Sequence, residues 1–258
     1  MIPFPLINLW NKRSLIAHFA VLNLKIRFKN TYLGFLWAAI EPLLYFIILY
    51  IVFTSIRERG DDFAIYLISG ILFFHVFVRG TTGGVASLTS NGGIIKSLNI
   101  NREFFPVVAT VAIGLLAFVD VGVFFGLMPI FQFVPSWTII LLPIPLLLLI
   151  ILILGVSYFL SIGNVYMRDT QHLWGIISHT LIFISPIFWK VDNAADVLLE
   201  IHKINPLGQL IEISHKLVID AQVPPLNEWL YTTFFILAIF FSGYFLFHKF
   251  EFKVVEQL

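Results

Sequence analysis

The sequence predicts an all-α polytopic membrane protein with six transmembrane helices. An N-terminal amphipathic interface helix precedes them, and re-entrant or surface helices occupy the last outer loop. Three observations carry this reading. Hydrophobic residues make up 59% of the chain and charged residues only 12%, with a mean hydropathy of +0.93, which is more apolar surface than a soluble domain of 258 residues needs. Apolar segments of about 20 residues recur, each long enough to cross roughly 30 Å of hydrocarbon. The cations also fall unevenly on the two sides of those segments. Residues 1–258 read as a single transmembrane domain, with the interface helix in 1–33 and the six spans in 34–258. Cysteine is absent, which excludes disulfides, thiol chemistry and cysteine metal sites.

The opening MIPFPLINLWNKRS does not read as a signal peptide, because its apolar stretch precedes its charges and carries two prolines. Over residues 15–29 a helical period puts His18, Lys25 and Lys29 on one stripe and Leu15, Phe19, Leu22 and Ile26 on another. That suits a helix lying in the plane of the interface; the alternative is a first transmembrane helix that begins early. The stretch KIRFKNTYLGFLWAAIEP, residues 25–42, turns the chain from interface to membrane. Lys25, Arg27 and Lys29 sit at the junction, Tyr32 and Trp37 are ring types that settle at headgroup level, and Gly34 permits the turn.

Span 1 covers 34–56 and ends in the charged turn RERGDD. Span 2 covers 63–86, and the small, polar RGTTGGVAS at its end implies close helix packing. Residues 91–106 form a polar loop with room for a short helix. Span 3 covers 107–133. Span 4 covers 137–165, with Pro143 and Pro145 near its start, and the tight loop YMRDTQH follows. Span 5 covers 173–189, the longest connection covers 190–228, and span 6 covers 229–247. In the long connection Leu207, Leu210, Ile211, Leu217 and Val218 recur at helical spacing, so a helix there dips into the outer leaflet or rests on the outer surface. An even number of spans puts both termini on one side. That side carries Lys12, Arg13, Lys25, Arg27, Lys29, Lys96, Arg102, Arg168, Lys249 and Lys253, with Arg79 close by. The other has only Arg57, Arg59, Lys190, Lys203 and Lys216, so both termini are expected in the cytoplasm.

Few ionisable groups fall within the spans. Asp120 lies near the middle of span 3, where a charge is costly and is therefore paired, protonated or facing water. A part in conduction and a hydrogen bond to a neighbouring helix both fit it. Glu41 is near the interface and needs no burial. Arg168 and Asp169 read as structural, forming an ion pair or capping the next helix. His75 and His179 lack metal-ligand spacing and read as packing residues. No GxxxxGK[ST] occurs, so energy from a nucleotide would come from another polypeptide.

Four stretches together resemble the ABC-2 type permeases of the polysaccharide export branch, which serves O-antigen, capsule and teichoic acid. They are RFKNTYLGFLW followed by EP; N-x-x-I-I-K with Asn91 and Lys96, followed by R-E-x-x-P with Arg102 and Pro106; GNVYMRD with Gly163 and Arg168; and SPIFW followed by NP, with Ser185, Pro186, Asn205 and Pro206. The resemblance covers nearly the whole chain. Gly92 and Gly93 depart from it, standing where a better helix former is expected.

The resemblance implies a homodimer in the bacterial inner membrane, joined to two copies of a separate ATPase that holds MgATP. The chain itself would carry no cofactor. The cargo would be a glycan linked to a polyprenyl pyrophosphate. Lys25, Arg27, Lys29 and Tyr32 look like the cytoplasmic lipid gate of such exporters, and cations suit phosphate oxygens. Plain positive-inside anchoring explains the same cluster. Residues 94–104 would form a coupling helix on the ATPase, using Ile95, Lys96, Asn99, Arg102 and Glu103, with His18 as a second contact. Tyr45, Phe46, Tyr50, Phe183, Phe188 and Trp189 would line a path for sugars, although packing accounts for most single rings. A drug or small-lipid ABC-2 exporter, a membrane-embedded transferase acting on a lipid-linked sugar, and a secondary transporter or channel are the alternatives. The first would be expected to lack the interface helix joined to RFKNTYLGFLW; the second needs acid, base or metal groups gathered at one membrane face; the third often carries inverted repeats, and none is visible.

Overall fold

The computed structural model describes residues 11–56, 60, 62–97 and 101–251. Among these the chain is all-helical. Five helices are long and apolar enough to cross a membrane.

Helix α1 (Arg13–Phe28) packs along α5 (Phe104–Leu127) through Ile16 and Ala20, with Phe19 set edge-on to Phe104 at 5.4 Å. The expected apolar stripe is not its protein-facing side: Leu15, Leu22 and Ile26 stay exposed, next to the cationic row. An exposed apolar row beside exposed cations is the pattern of a helix at a membrane surface. The chain then turns through Asn30 and Gly34, both at positive φ (60° and 53°). Asn and Gly tolerate that region best. A short 3₁₀ turn, Gly34–Leu36, leads into α2 (Trp37–Ile56), which is buried only along Ala38, Pro42 and Phe46. The charged turn expected after it lies mostly outside the described residues.

Helix α3 (Phe63–Ala86) is the hub. It packs against α2, α5, α6 (Pro143–Tyr166), α7 (Thr170–Ile184) and α9 (Pro206–Val218), and Thr82 is its one exposed residue. The small residues of RGTTGGVAS permit this. A Cβ on Gly84 would fall 2.0 Å from Ser157 Oγ and 3.1 Å from Ser157 Cα, so the α3 and α6 backbones are in direct contact there. A second close crossing joins α6 to α10 (Leu226–Phe250), where a Cβ on Gly243 would meet the Gly155 carbonyl at 2.4 Å. After α3 comes the short α4 (Gly92–Ser97).

Three expectations need correction. Span 3 ends at Leu127 rather than 133, because the chain reverses at Gln132 (φ 52°) and folds Phe131 against Phe46 and Tyr50. The span expected over 173–189 is the 15-residue α7, about 22 Å long, which stops at Ser185–Pro186. Pro removes a donor and restricts the residue before it. Asp169 is the residue before α7, as expected, but its side chain makes no capping bond.

The long connection after α7 is anchored into the protein rather than laid on it. Helix α8 (Asp196–Ile204) precedes α9, which is buried over most of its length against α3 and α6. Tyr66 on α3 donates its hydroxyl to the Trp189 carbonyl at 2.6 Å and stacks on His215 at 3.7 Å. Burial holds His215 down to about pKa 3, so the ring is neutral and its Nε2–H donates to the Tyr66 carbonyl at 3.0 Å. Ile187 is fully buried against Gly70.

Candidate functional site

Residues two apart on an α-helix point to nearly opposite sides. Arg27 therefore faces away from Lys25, and from Lys29 just beyond the helix end. It lines a cavity of about 490 Å³ where α1 meets α2, with Phe28, Trp37, Glu41, Leu44, Tyr45 and Ile48 around it. One cation and one carboxylate thus sit in a mostly apolar, aromatic wall. Lys25, Lys29 and the fully exposed Tyr32 do not line it. Partial burial, then the positive charge of Arg79, lower the Arg27 pKa, with Glu41 and Asp120 acting in the opposite direction. The guanidinium stays cationic.

Behind Glu41 a chain of polar groups runs into the helix bundle. Glu41 Oε1 lies 3.5 Å from His75 Nε2, and its side chain is 45% exposed. Arg79, one turn beyond His75 on α3, approaches His75 Nδ1 at 2.7 Å and forms an ion pair with Asp120 on α5. Arg79 and Asp120 are 5% and 1% exposed, so this is a fully enclosed pair. The geometry fixes the histidine tautomer. Guanidinium is only a donor, so Nδ1 accepts from Arg79 and the ring proton sits on Nε2, facing Glu41. The sequence left Asp120 open between pairing, protonation and water; it is paired. His75, expected to be a packing residue, is instead the link between an exposed and a buried carboxylate. The available signal was a cation and a histidine at i, i+4 in one span and a lone acid in another. His179 is exposed on α7, its Nδ1 2.6 Å from the Gly175 carbonyl of the same helix.

The expected path aromatics divide. Tyr45 lines the Arg27 cavity, its ring 5.8 Å from that of His75. Phe46 is buried, stacked on Tyr50 at 5.5 Å. Tyr50 lines a second cavity of about 650 Å³ with Thr54, Asp62 and Gln132. A ladder of rings continues from Tyr50 through Phe63 and Phe53 to Phe188, stacked on Phe53 at 4.7 Å, and then to Phe183 at 6.0 Å. Phe183 is exposed and lines a groove of about 600 Å³ on α7. Trp189 donates its ring N–H to the Phe183 carbonyl at 3.1 Å and so belongs to the turn after α7.

The expected coupling segment is not one helix. Helix α4 is described as far as Ser97, Asn99 lies outside the described residues, and the chain is not helical at Asn101 and turns at Arg102 and Glu103. Lys96 and His18 are exposed. Ile95 is buried in the same apolar cluster as Ile16 of α1, so the two exposed groups belong to segments that share a core. Arg102 is half-buried. Glu103 does not share the exposed face of Lys96. It is 1% exposed, turned inward at the start of α5, and its Oε2 lies 3.2 Å from His248 Nε2 of α10.

The ABC-2 type transporter profile matches residues 18–218. The chain belongs to the ABC-2 type transporter family. Its curated relatives include an O-antigen export system permease protein RfbA of Klebsiella pneumoniae, 26% identical over 242 residues covering 92% of each chain. Another RfbA, of Myxococcus xanthus, is 22% identical over 196 residues and 73% of each chain. The polysialic acid transport protein KpsM of Escherichia coli is 26% identical over 234 residues, 85% of this chain and 87% of its own. The family region begins at His18 in α1 and ends at Val218, the last residue of α9. It therefore contains the Arg27 cavity, the Glu41–Asp120 chain and the ring ladder. Helix α10, with His248, lies beyond it.

Proposed function

We propose that this ABC-2 type chain is the transmembrane subunit of an ATP-driven exporter. Its cargo is a lipid-linked polysaccharide of O-antigen, capsule or teichoic acid type, moved outward from the cytoplasmic side. The observation that carries this is the Arg27 cavity, an aromatic and apolar wall with a guanidinium at its rim, on a chain aligned nearly end to end with export permeases. Such a cavity suits a lipid phosphate, whose oxygens meet the cation while its chain meets Leu44 and Ile48. Lys25, Lys29 and Tyr32 serve as the outer approach to it. Two chains pair in the bacterial inner membrane, with both termini cytoplasmic. The exposed apolar faces of α2 and α7 support pairing. Helix α7 and the turn after it supply the sixth crossing, covered by the second copy where the helix is too short. Energy comes from MgATP on a separate ATPase, which docks on His18, Lys96 and Arg102, with Ile95 as the buried anchor of that surface.

Affinity purification of the chain from its own membranes tests this assembly. A stoichiometric partner with a Walker A loop is expected; a chain that emerges alone in mild detergent overturns the exporter reading. Replacing Arg27 and Lys29 together by Ala is expected to stop surface display of the polysaccharide while leaving ATPase binding intact. Normal display in that variant returns the cluster to simple anchoring.

A further inference from the structure

We propose that Glu41 is a displaceable counter-ion in the Arg27 cavity, standing in for the anionic headgroup when the cavity is empty, and that His75 is the positioning residue that takes it up when the headgroup enters. This deepens, and rests on, the reading of the cavity as a lipid-phosphate site. The ligand class is an amphiphile with a phosphate head.

Charge balance is the first support. Arg27 and Glu41 share the cavity wall, and Arg79 and Asp120 form the enclosed pair behind it. With His75 neutral, the set Arg27, Glu41, Arg79 and Asp120 sums to zero. An incoming phosphate makes it negative, so ligand and Glu41 compete for the field of Arg27. A carboxylate that merely anchored the fold would be enclosed like Asp120, whereas Glu41 is nearly half exposed.

Direction is the second. The Nε2–H of His75 points at Glu41 across 3.5 Å, longer than a good hydrogen bond, so a shift of a few tenths of an ångström toward His75 would close it. The ring cannot turn away. Its other nitrogen is held by Arg79 at 2.7 Å, and Arg79 is held by Asp120. Asp120 fixes Arg79 and itself lies 3.6 Å from the same His75 nitrogen, and the Arg79 contact leaves the ring one donor to present to Glu41. Ligand in the cavity is thereby sensed on α3, the helix that touches nearly every other.

The test uses the purified full chain in zwitterionic nanodiscs, with undecyl phosphate as probe and undecyl maltoside as neutral control, read by calorimetry. Wild type binds the phosphate and not the maltoside at the same concentration. Glu41→Gln, which removes the competitor and keeps the shape, is expected to bind the phosphate more tightly, on the order of tenfold for one unit charge removed at this range. His75→Leu removes the donor and is expected to weaken phosphate binding when Glu41 is present and to change nothing in the Glu41→Gln background; His75→Gln, which keeps an N–H, is expected to restore much of the loss. A purely structural Glu41 would give equal or weaker binding in Glu41→Gln, and that result overturns the inference. If Arg27→Ala binds the phosphate as wild type does, the cavity reading itself fails, whatever Glu41 does.

Discussion

Replacing Asp120 by Asn leaves the volume of the side chain nearly unchanged and deletes one charge. Arg79 is then 5% exposed with no carboxylate beside it, and only neutral acceptors, the amide oxygen of the new side chain and the His75 ring nitrogen, remain as partners. Breaking an enclosed ion pair from one side costs about 3–5 kcal/mol, because the surviving charge stays desolvated. For a chain of this size that corresponds to a fall in Tm on the order of 10 °C. The companion variant, Arg79→Met with Asp120→Leu, removes both charges. The pair is imperfectly satisfied even in the native protein, since Arg79 Nε and Asp120 Oδ2 have no partner. The double variant is therefore expected within about 2 kcal/mol of wild type, far from the sum of two single losses. Thermal unfolding in one detergent, for wild type, both singles and the double, reads all four corners. If Asp120→Asn melts within a degree or two of wild type, or if the double falls as far as the singles added together, the enclosed pair is not what joins α3 to α5.

The contact of α3 with α6 predicts that Gly84→Ala costs about 1–3 kcal/mol, because its Cβ would lie 2.0 Å from Ser157 Oγ. Adding Ser157→Gly should recover most of the loss in folded yield, and no recovery would mean that the backbones themselves must separate. In α9, burial would raise the pKa of Glu212, but bonds to His202 and to Lys216 (2.9 Å) outweigh it and hold the carboxyl down to about 2. A depressed pKa contributes stability above the ordinary value of 4.5 that is lost as pH falls toward 2. Amide exchange over residues 196–218 should therefore quicken between those limits. Glu212→Gln should show fast exchange already at neutral pH and a flatter dependence below it.

Much of the fold was legible because it follows from period and composition. Five apolar segments became long helices, and the glycines of RGTTGGVAS marked a close crossing before any contact was visible. What was not legible depends on which side of a helix faces protein. The Leu15, Phe19, Leu22 and Ile26 stripe is the most regular on α1, yet the protein-facing side is centred on Ile16 and Ala20. Amphipathicity cannot tell a lipid-facing row from a packed one when the surroundings are apolar too. Glu103 failed for the reverse reason: a polar period with Lys96 placed it on a shared face, but a turn at Arg102 and Glu103 breaks the period and His248, distant in sequence, takes it inward. Residues Lys25, Arg27 and Lys29 read as one cluster because alternate residues look adjacent in a string, whereas a helix sends alternate side chains apart. That single geometric fact separates Arg27 from its neighbours and gives it the cavity.

The distribution of burial also limits which parts can move. Helix α3 is enclosed by α5, α6 and α9, with glycine contacts that leave no room for a side chain to re-pack and a Tyr66–Trp189 bond near its N-terminal end. Elements that open at low cost are those with few buried contacts. Helix α2 is buried at only three positions and α7 at two, and the Phe53–Phe188 stack joins α2 to the turn that follows α7. The Arg27 cavity sits where α1 and α2 meet, at the lightly held edge of a firmly held hub. The proposed displacement at Glu41 would act on the lightly buried α2, with the enclosed His75, Arg79 and Asp120 as its fixed side.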